Sequence, residues 1–308
     1  MPLDTEILHG FNWIDLKGTD GYRRWRAIKL AAAERVLRLD PVELSSLAAP
    51  SDAEASEIAR RCEVVNFARY ACAGTADSRP VREGLRRFSD RFGLKIAEAH
   101  RSAGDAGIVA LQPSDDPARR GYIPYSTRAL NWHTDGYYNG PGERISAFVL
   151  HCVRAADRGG ENRILDPEIL YIRLRDARPD LLAALLHPAA MSIPANSEPD
   201  GALRAESVGP VFYPDPMTGR LQMRYTARTR SISWRDDAAT GEAAQWLRDR
   251  LDAGDPLGCT VRLDAGQGIL NNNVLHDRTG FGTDRGDARL LYRVRFHNRI
   301  ARSERWPS

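Results

Sequence analysis

The chain has 308 residues, and 44 Lys and Arg against 41 Asp and Glu leave a net charge of +3 spread over both halves. That balance weighs against a nucleic-acid protein, which needs a clustered cationic face, and a hydrophobic fraction of 42% before glycines are counted excludes a disordered chain. Four cysteines (Cys62, Cys72, Cys152, Cys259) with no C-x-x-C pair are too sparse for a disulfide framework and fit a reducing compartment. No run approaches ~18 apolar residues, and no basic-then-apolar leader opens the chain. A soluble, cytoplasmic protein without a membrane or nucleic-acid partner is expected, with self-association left open.

Helical spacing of apolar residues runs through Arg23–Leu37, Ala53–Arg61 and Val81–Phe92, with cap-like starts at Asp40-Pro41 before Val42–Leu47 and at Ser51 before Ala53. Val64–Tyr70 alternates as a strand does, and Ala73–Pro80 is a turn-rich loop. From about Gly107 short strand-like runs take over: Ile108–Leu111, Gly121–Tyr125, Ile145–Val153, Met191–Pro194, Gly209–Tyr213, Leu221–Tyr225, Cys259–Leu263, Gly268–Leu270 and Leu290–Phe296. Helices interrupt them after Asp166-Pro167, at Pro179-Asp180, and over Thr240–Leu251 with Thr240 as cap. One mainly β domain with flanking helices follows, a helix-rich portion (1–106) packing on a β core (107–300).

The seven histidines keep different company. His9, His100, His187 and His297 have no carboxylate or cysteine at ligand spacing and read as solvent-facing or locally bonded, and His151 in FVLHCV reads as a buried core histidine. His133 is followed two residues on by Asp135, so on an extended chain both side chains point one way and can share a metal. Gly136 then lets the chain turn tightly away. His276 closes an apolar strand just past Asn271–Asn273, a run that reads as turn chemistry. Two histidines and one carboxylate make the facial triad of non-haem Fe(II) oxygenases, with three positions left open. Further on, Arg289, Leu291, Arg293 and Arg295 alternate onto one strand face, where arginines need anionic partners. A dicarboxylate with one end on iron supplies one.

HTDGYY (133–138), GGEN (159–162), NNNVLH (271–276) and an R-x-x-x-R pair (289, 293), in this order, resemble the Fe(II)/2-oxoglutarate-dependent dioxygenases of the taurine dioxygenase (TauD/TfdA) and γ-butyrobetaine hydroxylase superfamily. The resemblance implies a double-stranded β-helix (jelly roll) of the clavaminate synthase-like kind. It implies iron on His133, Asp135 and His276, the distal carboxylate of 2-oxoglutarate on Arg289, and a substrate anion on Arg293. Asn162 stands where the family often has Thr or Ser against 2-oxoglutarate, and the loop from His276 to Arg289 differs in length, so the two arginines could exchange roles. Asp135 is retained where related halogenases have Gly or Ala, which favours hydroxylation. The activity implied is O₂-dependent hydroxylation, or cleavage through hydroxylation, of a small anionic or zwitterionic metabolite, with succinate and CO₂ as co-products. Arg228, Tyr137 and Tyr138 are the further substrate candidates, and Trp132 could flank the same cavity by cation–π contact. A metal-dependent hydrolase at the same triad and a silent ligand-binding barrel are the rival readings. No H-x-H, H-E-x-x-H, G-x-G-x-x-G or G-x-x-x-x-G-K-[ST] supports other metal or nucleotide chemistry.

Overall fold

A computed structural model describes residues 12–74, 78–95, 97–98, 107–116, 122–197, 203–282 and 289–301; His9 and His100 lie outside them. Two sheets face each other. The larger has the order Val42–Glu43, Phe67–Ala71, Gln267–Asn271, Ala147–Arg154, Leu290–Phe296, Val109–Leu111, and the smaller the order Cys259–Val261, Asn162–Leu165, Leu275–Arg278, Leu130–His133. This is the jelly-roll arrangement that the resemblance implies.

Period-two alternation divides the core. Along Ala147–Arg154, Phe148, Leu150 and Cys152 point between the sheets, while Ala147, Val149 and Val153 meet the helix Ser78–Arg91 through Val81, Leu85 and Phe88. Along Leu290–Phe296, Tyr292, Val294 and Phe296 join that outer layer. Leu291, Arg293 and their alternates therefore face inward, so the arginine face looks into the barrel. The chain passes from the larger to the smaller sheet at the corner between Gln267–Asn271 and Leu275–Arg278.

Several expected elements shift for identifiable reasons. Val64 and Val65 finish the helix Asp52–Val65, whose Ser51 cap and Glu54 form a reciprocal capping box, and Asn66 ends it in the left-handed conformation (φ 61°) before the strand Phe67–Ala71. Val42–Leu47 is not helical: Val42–Glu43 pairs in parallel with Phe67–Ala71, and Ser45 binds Glu54. Ser78 already belongs to a helix. Pro124 turns the expected Gly121–Tyr125 strand into a 3-10 turn over Ile123–Tyr125, with Gly121 outside the described residues. Pro210, which has no N–H to give a ladder, splits Gly209–Tyr213 between Ser207–Gly209 and Phe212–Pro214. Asp166 caps Pro167–Ala177 as expected, but the cap of Ala238–Ala253 is Asp237, whose carboxylate accepts from the Thr240 N–H (3.0 Å) and hydroxyl (2.6 Å). Among the described residues no helix is long and apolar enough to cross a membrane.

Candidate metal centre

Leu130–His133 and Leu275–Arg278 pair antiparallel, and their register sets His276 directly opposite His133. Cross-strand partners project from the same face, so the two rings lie 4.2 Å apart between centroids. Each imidazole is oriented by its own strand: His133 Nδ1 lies 2.8 Å from the Asn131 carbonyl and His276 Nδ1 3.0 Å from that of Val274. A carbonyl can only accept, so Nδ1 carries the proton on both rings and Nε2 keeps its lone pair. Burial and the neighbouring His133 lower the His276 imidazole to about 3, so it is neutral at physiological pH, as a ligand must be.

Asp135 completes the group. Its Oδ1 is 3.7 Å from His133 Nε2, and one ligand atom from each of the three residues falls within 4.8 Å of the others. Burial opposes its ionisation, but Arg293, His133 and Arg295 outweigh burial and hold the carboxyl well below the ordinary carboxylate range. Arg293 Nη1 takes Oδ1 at 3.1 Å, whereas Oδ2 is buried with no hydrogen-bond partner. Two free imidazole lone pairs and one orphaned, buried carboxylate oxygen converging on one space fit a divalent cation. Gly136 has φ 64°, and a Cβ there would stand 2.5 Å from Ile145 Cγ1, so the tight turn needs glycine.

The arginines divide as follows. Arg289 is buried, 5% exposed, stacked on Phe281 at 5.1 Å, and has no carboxylate partner among the described residues. Burial brings it down to about 10, so it stays a cation at neutral pH. Arg278 covers the same Phe281 ring at 4.9 Å and spends its guanidinium on carbonyls of Ser126 and Arg128. Arg295 bonds the Tyr138 hydroxyl at 3.1 Å and pairs with Glu98, which also receives Asn139. Arg293 pairs with Asp135 through Nη1, while its Nε is buried with no hydrogen-bond partner. Asn162 is buried on the strand beside that of His276, its amide reaching the Gly160 carbonyl at 3.5 Å. Gly160 also lies against Arg289, whose Nε would be 3.4 Å from a Cβ there.

Tyr137 stands edge-on to His133 at 6.4 Å and Tyr138 edge-on to Tyr137 at 5.2 Å. Arg228 is exposed, two residues past Thr226, the bridge partner of His133. Trp132 does not flank this space: it alternates to the opposite face and packs in the core beneath Arg163. His151 is a core histidine bonded to Tyr70 and His187 is locally bonded, as read from the sequence, whereas His297 reaches across the fold to the Arg144 carbonyl at 2.9 Å. Residue types alone did not single out Asn273, Arg224 or Glu98. Arg224 is buried and bonds the carbonyls of Tyr137, Met191 and Ser207, pinning the loop after the triad. Its only sequence signal is an arginine inside an otherwise apolar run.

A two-histidine, one-carboxylate group inside a barrel of two facing sheets defines the class of non-haem metal oxygenases. The chain belongs to the family described as "Taurine catabolism dioxygenase TauD, TfdA family", whose model matches residues 31–295. It is 34% identical over 173 residues to a uridine-5'-phosphate dioxygenase of Amycolatopsis sp and 32% identical over 176 residues to one of Streptomyces sp. These matches take in 53% and 55% of this chain and 59% and 62% of the relatives, under two thirds of either relative's length. The fold is shared with asparagine oxygenase in complex with Fe(II), 2S,3S-3-hydroxyasparagine and succinate (TM-score 0.57, 16% identity, 96% of this chain and 90% of that one). It is shared equally with the non-haem iron oxygenase OrfP in complex with Fe and α-ketoglutaric acid (TM-score 0.57, 19% identity, 87% and 90%).

Proposed function

We propose that this protein is an Fe(II)- and 2-oxoglutarate-dependent dioxygenase that hydroxylates a small anionic metabolite, with a nucleoside 5'-phosphate as the first candidate. The observation that carries this reading is the cross-strand pair His133/His276 meeting the buried, unpartnered Oδ2 of Asp135. Those three residues would hold the iron, and Arg289 the distal carboxylate of 2-oxoglutarate with Asn162 alongside. The phosphate comes from the two uridine-5'-phosphate dioxygenases that share about half of this chain.

When bound, the iron with 2-oxoglutarate and O₂ supplies the oxidising equivalent, leaving succinate and CO₂. The protein's own part is orientation. The two Nδ1 anchors keep both Nε2 atoms aimed at one point. Arg289 draws one carboxylate into a site whose charge is otherwise uncompensated. Tyr137 and Tyr138 wall the approach and exclude water from it. Arg228, exposed two residues past Thr226 and without a carboxylate partner among the described residues, is the candidate for the phosphate. Arg293, with Nη1 on Asp135 and a buried, unpartnered Nε, is the further candidate for the substrate anion.

The test supplies Fe(II), 2-oxoglutarate and O₂ with uridine-5'-phosphate and a panel of amino acids, betaines and sulfonates, following succinate and hydroxylated product. Arg289→Ala is expected to weaken 2-oxoglutarate binding roughly 10- to 100-fold, the worth of one charged hydrogen-bond pair, while Fe(II) binding persists. A wild-type protein that binds neither Fe(II) nor 2-oxoglutarate overturns the reading; succinate formed only with amino acids corrects the substrate.

A further inference from the structure

The two histidines fix one another through strand register, but Asp135 lies past the end of Leu130–His133, at the head of the Gly136 turn, where no ladder holds it. Another group must set its position. Asn273 meets it from the opposite sheet corner. The Asn273 Oδ1 accepts the Asp135 N–H at 2.8 Å, while its Nδ2 donates to the Asp135 carbonyl at 3.0 Å and the Ile145 carbonyl at 2.8 Å. The side chain is 1% exposed, and its backbone is left-handed at φ 53°, a conformation that asparagine tolerates.

We infer that Asn273 is the positioning residue of the metal centre: its amide clamps both backbone polar groups of Asp135 and thereby sets the carboxylate ligand relative to His276, three residues further along the chain. This rests on the metal-centre reading above. The clamp needs an acceptor and two donor hydrogens in one planar group, which an amide provides and an isosteric carboxylate does not. Its neighbours point elsewhere. Asn271 bonds the Phe148 carbonyl and the Val274 N–H, and Asn272 bonds the Cys62 carbonyl, Asn66 and the Ile300 N–H. One run of three like residues thus splits between holding the sheet corner, anchoring it to the flanking helix and chain end, and placing a metal ligand.

The experiment is anaerobic Fe(II) titration by calorimetry of the full chain, with thermal unfolding of the metal-free protein in parallel. Asn273→Asp and Asn273→Gly should weaken Fe(II) binding 10- to 100-fold, the usual cost of losing a group that orients a ligand. Glycine accepts the left-handed backbone, so the corner still forms in that variant. Asn272→Ala should lower the unfolding temperature yet hold Fe(II) affinity within threefold, separating positioning from general stability. In an Asp135→Ala background, adding Asn273→Gly should change the affinity less than twofold, because the clamp then has no ligand to set. Wild-type affinity in both Asn273 variants, or an undiminished loss in the Asp135→Ala background, overturns the inference. A wild-type chain that takes up no Fe(II) overturns the metal-centre reading instead.

Discussion

Arg293 lies within the strand Leu290–Phe296 and Arg289 four residues earlier, just before that strand begins, and both are buried. Their surroundings separate them: Arg293 is neutralised by Asp135 at 3.1 Å, whereas Arg289 faces a phenyl ring and no carboxylate among the described residues. A buried charge without a counter-charge is costly unless a ligand supplies one, which favours Arg289 for the co-substrate. The same desolvation acts on His151 with the opposite outcome for charge. Burial lowers its imidazole to about 4, and Tyr70 lies 3.1 Å from Nδ1. The unfolded imidazole, near 6.5, takes up a proton that the folded one refuses. Its contribution is therefore whole above pH 6.5 and is lost as pH falls from there toward 4, by about 3 kcal/mol in all. Urea unfolding between pH 4.5 and 7.5, with chelator present, should show that loss in wild type and a correspondingly flatter profile in His151→Asn. Superimposable profiles would rule the account out.

At the scale of elements, what could be read in advance depended on how local the cause was. Helices with their own periodicity and caps, such as the Ser51 and Asp166 starts, lay in plain view, and so did the long inner strands. For Ala238–Ala253 the sequence offers two caps, Thr240 and Asp237, three positions apart, and only the backbone decides between them. Asp237 is extended (φ -151°, ψ 154°), as a cap must be, and Thr240 already lies inside the helix. Asp237→Ala should therefore cost about 1 kcal/mol of unfolding free energy, by denaturant titration, and more than Thr240→Ser, which keeps the hydroxyl. The triad was legible because H-x-D and the later histidine carry their chemistry in residue type. The Asn273 clamp was not: which way each amide of Asn271–Asn273 turns depends on the sheet crossing, a property of the assembled barrel.

Across the whole molecule, a buried ionic network ties the first helix to the barrel, and nothing in local pattern foretells it. Lys29, 0% exposed on the helix Asp20–Leu37, reaches Asp166 at 2.6 Å, Glu168 at 2.5 Å and the Val64 carbonyl. Arg220 meets Glu168 at 2.8 Å from the other side, and Arg299, near the far end of the chain, joins through Asn66, which also donates to Asp166. Burial pushes the Glu168 carboxyl up, but Arg220 and Lys29 outweigh it and hold it below the ordinary carboxylate range. Asp166 caps the helix Pro167–Ala177, so this cluster joins that helix, the first helix and the chain end around one set of charges. Such a network adds little over an apolar core, yet removing one member strands the others without water. Lys29→Met should thus lower unfolding free energy by about 3 to 5 kcal/mol, whereas Arg38→Met, which opens the exposed Arg38–Glu34 pair, should leave it within measurement error. Equal small effects from both would mean that the cluster is hydrated, and that apolar packing by Trp25 and its neighbours, rather than charge, holds the first helix in place.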